Sequence, residues 1–184
     1  HGGGMVLDWG IHLLDQALRI GEGRKLISVY AELTNVTNEE CDDGFRVTLI
    51  FEGDLSMYVE VTTSNFIELP RWYILGENGS AVINDWDLNG EIVKVSDWEN
   101  RDAVPILAGV GLTKTMAPRT DDTIKHYPLP KVDSSWTQFY ENVFAALRGE
   151  EEQLITHDQQ RRLLKLVDAI FESGNENKVV FFDK

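Results

Sequence analysis

Between Met5 and Ile20 the apolar residues Leu7, Ile11, Leu14 and Leu18 fall at i, i+4, i+7 and i+11. That is one stripe at the helical period. Val6, Leu13 and Ala17 form a second stripe, so the helix is expected to be covered on more than one side, with Gly21 as its stop. The pattern then changes to period two. Leu26–Leu33 is β-rich. Val47, Leu49 and Phe51 alternate with Thr48 and Ile50, and Leu55, Met57, Val59 and Val61 alternate with Ser56, Tyr58, Glu60 and Thr62. Joined by Glu52-Gly53-Asp54, these predict a hairpin with one apolar face. Asn78-Gly79 and Asn89-Gly90 predict two type I′ turns linking Trp72–Leu75, Ala81–Ile83 and a strand ending near Ile92–Val95.

The stretch from Asn100 to Lys131, with four prolines and two glycines, reads as a long irregular loop, a feature that is often functional. Two helices then close the chain. Ser134 or Ser135 caps the first, whose apolar face is Trp136, Phe139, Tyr140, Val143, Phe144 and Leu147, expected as core. Thr156 and Gln159 make a capping box for the second, with Leu163, Leu166, Val167 and Ile170 inward. A turn at Ser173-Gly174-Asn175 leads to a last strand, Lys178–Phe182. Strands followed by helices indicate an α+β fold: an open, largely antiparallel mixed sheet with helices packed on one face.

Composition narrows the function. The chain has 184 residues, 17 Lys+Arg and 31 Asp+Glu, a formal charge of −14. Such a balance argues against nucleic acid and against anionic membrane as partners, since both require clustered cations. A single cysteine, Cys41, excludes an internal disulfide framework. No apolar run is long enough for a membrane span. The expected setting is cytoplasmic. The opening His1-Gly2-Gly3-Gly4, without an initiator Met, suggests a piece of a longer protein.

The sharpest chemical pattern is Asp8, His12 and Asp15, spaced i, i+4, i+7. On a continuous α-helix these lie within roughly 60° of one another. A carboxylate held against one imidazole nitrogen leaves the other free to exchange a proton with a substrate hydroxyl. The same triplet also suits a solvated helix face, a satisfied core histidine or, with His126 or His157, a metal shell. His1-Gly2-Gly3-Gly4 matches an esterase oxyanion element, but no G-x-S-x-G elbow follows. The glycines instead allow close backbone approach ahead of the helix. Gly109-Val110-Gly111 lacks the third glycine of a dinucleotide fingerprint. Lys114 and Arg119, cations on a constrained loop of an acidic chain, are candidates for holding a substrate carboxylate or phosphate, or are solvated loop charges.

Gly2-Gly3-Gly4-Met5-Val6-Leu7-Asp8-Trp9-Gly10-Ile11-His12-Leu13-Leu14-Asp15 resembles the GGG-x-x-x-D-x-G-x-H-x-x-D segment that opens the C-terminal α/β domain of the glucose-fructose oxidoreductase / inositol dehydrogenase / rhizopine catabolism family. Pro70–Ser80 is similar to that family's RW-x-x-x-G-x-x-G segment, and Phe139–Val143 and Asp168–Ser173 to its last two helices. The resemblance implies that residues 1–184 form a C-terminal substrate-binding and oligomerisation domain. It implies an N-terminal Rossmann domain outside this chain, carrying NAD or NADP and a catalytic lysine in a Glu-Lys-Pro turn. The substrate would be a sugar, polyol or related hydroxy compound. His12 would be the proton-transfer base and Asp8 its orienting carboxylate. Asp15 matches the motif on the substrate side with no fixed role. A homodimer or homotetramer through the sheet is also implied. This piece alone is expected to be inactive and to bind dinucleotide weakly. A non-catalytic module of the same fold and a metal-dependent hydrolase are the competing expectations.

Overall fold

The computed structural model describes residues 3–97, 106–113 and 120–182. The chain divides into two compact units, His1–Phe66 with Ser135–Lys184, and Ile67–Ser134.

In the first unit a π-helical turn, Val6–Gly10, runs into α1, Ile11–Ile20. Strands β1 (Leu26–Thr34), β2 (Gly44–Phe51) and β3 (Ser56–Thr62) follow. Later in the chain come β4 (Trp72–Gly76), β5 (Gly79–Ile83), β6 (Gly90–Val95), β7 (Ile106–Ala108), β8 (Gly111–Thr113) and β9 (Ile124–Pro128), all of the second unit. The chain then returns to the first unit with α2 (Thr137–Leu147), α3 (His157–Glu176) and β10 (Val180–Phe181).

The sheet of the first unit has the order β10-β1-β2-β3, antiparallel throughout. Phe45, Val47, Leu49 and Phe51 of β2 point to one face and are buried. Val29 and Ala31 of β1 join them. A register shift between Leu26 and Ser28 brings Leu26 inward as well, despite its opposite parity. Onto this face pack Leu14, Ala17 and Leu18 of α1 and Leu163, Leu166, Val167 and Ile170 of α3. The α+β class and the placement of helices over one sheet face hold. The capping box also holds: the Thr156 hydroxyl accepts the Gln159 N–H and the Gln159 side chain accepts the Thr156 N–H.

Several expectations need correcting. The strands make two four-stranded sheets and a small pair rather than one mixed sheet, and every described pairing is antiparallel. The supposed irregular stretch from Asn100 to Lys131 contains β7, β8 and β9 among its described residues. Neither Asn-Gly pair is a type I′ turn. Gly76 pairs with Gly79 and Ile83 with Gly90, so both glycines lie in strands. Their use is close approach. A Cβ on Gly79 would strike the Val93 carbonyl, and one on Gly90 the Val82 carbonyl. The loop before Gly90 is shaped by Asp85, whose carboxylate accepts the N–H groups of Asp87 and Asn89, and by Leu88 at φ 61°.

Ser173-Gly174 is helical, not a turn. α3 continues to Glu176 and ends at Asn177, which takes the left-handed conformation. Gly174 lets Leu33 of β1 press against the helix, since a Cβ there would lie 2.6 Å from the Leu33 Cγ. The aromatic face of α2 is not core. Trp136 is 90% exposed, and Phe139, Tyr140, Phe144 and Leu147 are exposed too. The helix buries Asn142 and Ala145 instead. Asn142 holds the following loop, donating to the Glu152 carbonyl and accepting from the Leu154 N–H. Ser135 accepts the Thr137 N–H just ahead of the helix.

Candidate active site

The start of the first helix is built against the β1–β2 loop. The Asp42 carboxylate accepts the Val6 N–H at 2.8 Å, and the Asp42 carbonyl accepts the Met5 N–H at 3.0 Å. Gly4 lies directly on Asp42, where any side chain would collide with the carboxylate. Gly4 thus permits close backbone approach, as the glycine run predicts, and the group it approaches is Asp42. Sequence reading passed over Asp42. Its signal was faint, an acidic residue in an acidic loop.

Gly10 plays the matching part on the sheet side. A Cβ there would meet the Phe45 ring at 2.7 Å. The backbone is therefore held down at residue 10, and Asp8 and His12, two positions to either side, are exposed. The π turn closes through the Gly10 N–H and the Met5 carbonyl at 2.7 Å. Its extra residue breaks the uniform α-helical count from Asp8 to His12, so the 60° estimate does not carry over. Such π insertions are frequent at functional sites.

Neither the Asp8 nor the His12 side chain has a hydrogen-bond or ion-pair partner among the described residues. Leu7 and Trp9 are exposed on the same turn, so the imidazole and carboxylate stand beside an apolar surface. Asp15, half-buried, pairs with Arg19 at 3.0 Å on the next turn rather than with His12. Lys114 and Arg119 lie outside the described residues. Among the described residues no group of three or more His, Cys, Asp or Glu could hold a metal. No described helix is long and apolar enough to cross a membrane.

The loop beneath the helix start holds one carboxylate, Asp43, well below its ordinary range. Asp43 accepts from the Thr37 N–H and from the hydroxyls of Thr37 and Thr34. These bonds, led by the Thr37 backbone N–H, hold its carboxyl down at about 2.

Residues 1–82 match the family model described as the GFO/IDH/MocA C-terminal domain. No curated protein matches the chain. Among solved structures, an NAD-binding protein from Listeria innocua is 43% identical, with a TM-score of 0.88 over 99% of this chain and 52% of that one. The WlbA dehydrogenase from Bordetella pertussis, solved with NADH and UDP-GlcNAcA, is 19% identical, with a TM-score of 0.62 over 99% of this chain and 46% of that one. At that identity the likeness is one of fold. The chain spans about half the length of these structures.

Proposed function

We propose that the chain, whose residues 1–82 match the GFO/IDH/MocA C-terminal domain, is the substrate side of an NAD(P)-dependent oxidoreductase acting on a carbinol carbon of a sugar, polyol or related hydroxy compound. The observation that carries the reading is the exposed Asp8-x-Gly10-x-His12 turn, with Gly10 clamped on Phe45, in a chain 43% identical to an NAD-binding protein.

The dinucleotide belongs elsewhere in the full-length protein. Its phosphates need a glycine-rich turn between a parallel strand and a helix. Every described strand pairing here is antiparallel, which supports placing the dinucleotide on another part of the protein. The nicotinamide, when bound, supplies the hydride acceptor. His12 supplies the proton acceptor. The substrate hydroxyl loses its proton to the imidazole as the carbinol carbon loses its hydride, leaving a carbonyl. Asp8, one turn earlier, balances the imidazolium and orients it once substrate draws the two together; catalytic hydrogen bonds are often open until the ligand is bound. Leu7 and Trp9 supply an apolar wall that strengthens these charges by excluding water. Asp15, tied to Arg19, borders the substrate side.

A second copy of the chain is the expected partner. The β4-β5-β6-β9 sheet exposes Tyr73 and Leu75 on one face and Ile74 and Tyr127 on the other, apolar side chains that a partner could cover.

The test is His12→Ala in the full-length protein. Turnover should fall by about 100-fold or more, the range of a lost general base, while NAD(P) affinity stays unchanged. Full turnover by this variant overturns the assignment and favours a non-catalytic module.

A further inference from the structure

At the far end of α1 from His12, a cavity of about 340 Å³ opens between the start of β1, the N-terminal half of α3 and the end of the chain. Arg24, Lys25, Arg161, Arg162 and Lys165 line it. Those are five of the 17 Lys and Arg residues in a chain of net charge −14. Of these five, only Arg161 has a carboxylate partner among the described residues, Asp158 at 2.7 Å.

Chance placement of solvated charges is a poor account of this cluster. Arg161 and Lys165 are like charges at i, i+4, a spacing that destabilises a helix. Two of the guanidinium groups are also oriented. Arg24 donates to the Gly53 carbonyl at 2.8 Å and to the Glu52 carbonyl at 3.3 Å. Arg162 donates to the carbonyls of Leu18 and Arg24, at 3.5 and 3.4 Å. Backbone carbonyls hold Arg24 closely and Arg162 at longer range, without neutralising either. Lys165 lies 5.4 Å from the Phe182 ring, which with Leu26 makes an apolar floor. The result is a concave, cationic, partly preorganised pocket with an apolar base, of the size that takes a small ligand.

We propose that this cavity binds a phosphate-bearing organic anion. The phosphate meets the Arg and Lys side chains at the rim, and the organic body lies on Leu26 and Phe182. The proposal does not depend on the hydride-transfer reading.

Calorimetric titration of the chain at low salt with inorganic phosphate, adenosine 5′-monophosphate and adenosine tests it. Phosphate should bind saturably, the monophosphate about tenfold more tightly, and adenosine not at all. The exposed double variants Lys25→Glu/Lys165→Glu and Lys25→Gln/Lys165→Gln should each weaken the monophosphate by about tenfold or more. Lys125→Glu, a charge reversal on β9, should leave it unchanged. Absence of saturable binding overturns the proposal. So does equal loss in the Lys125→Glu control, which marks general charge attraction, or a monophosphate no tighter than phosphate, which removes the organic body. Unchanged affinity in both double variants would place the anion elsewhere and overturn it equally.

Discussion

The carboxylate of Asp42 accepts the backbone N–H of Val6 at 2.8 Å, joining the β1–β2 loop to the first turn of the helix that presents Asp8 and His12. Both residues are buried, Val6 completely. Asp42→Ala strands that N–H and should cost about 1–3 kcal/mol, a few degrees in Tm. Asp42→Asn, which keeps an acceptor, should recover part of it. In the full-length protein Asp42→Ala should also lower turnover, because the π turn loses its anchor. Thermal melts and turnover of the two variants check this; an Asp42→Ala protein with native Tm would remove the anchor from the account.

Asp43 gives a pH dependence of known sign. Its carboxyl sits at about 2 in the folded chain, led downward by the Thr37 N–H, against an ordinary 3.8. A depressed carboxyl stabilises the fold above its unfolded value and loses that contribution as pH falls. The Asp43 contribution should therefore be complete above pH ~5 and fade between about pH 4 and 2. Melts of the native chain and of Asp43→Asn should differ at pH 7 and converge across that window. A constant difference down to pH 2 would rule out the carboxylate as the cause.

Ser173 is fully buried at the end of α3. Its hydroxyl accepts the Ala31 N–H at 2.8 Å and donates to the Lys178 carbonyl at 2.6 Å. It thereby joins helix, central strand and the segment leading to β10. Ser173→Ala leaves both groups without that partner and should cost about 1–3 kcal/mol. Amide exchange should speed up at Ala31 before it does at the middle of β2.

Gly90 pairs with Ile83 where the β5 backbone comes closest, and a methyl there meets the Val82 carbonyl. Gly90→Ala should destabilise the second unit by about 1–3 kcal/mol, the usual range for forced overpacking. Amide exchange should rise across β5 and β6 and stay native in β1–β3. Uniform change across both sheets would contradict the division into units.

Sequence by itself determined the elements whose signal is local. The alternation of Val47, Leu49 and Phe51, the stripe of Leu14 and Leu18 and the Thr156–Gln159 box each follow from side-chain periodicity or from a bond three residues long. The Asp8–His12 candidate was legible the same way. Tertiary structure decided whatever depended on a distant neighbour. Gly79 and Gly90 looked like turn residues and are strand residues, because the constraint on them is a carbonyl on the next strand. Ser173-Gly174 looked like a helix stop and continues the helix, because Leu33 needs the space. The α2 stripe of Trp136, Phe139 and Phe144 looked like core and is exposed: a periodicity marks an apolar face but says nothing of what covers it. Asp8, His12 and Asp15 looked like one cluster, and the structure ties Asp15 to Arg19 on the next turn instead. The cationic pocket had no sequence signature, since Arg24 and Arg162 are 138 residues apart and meet only when α3 folds back onto the start of β1.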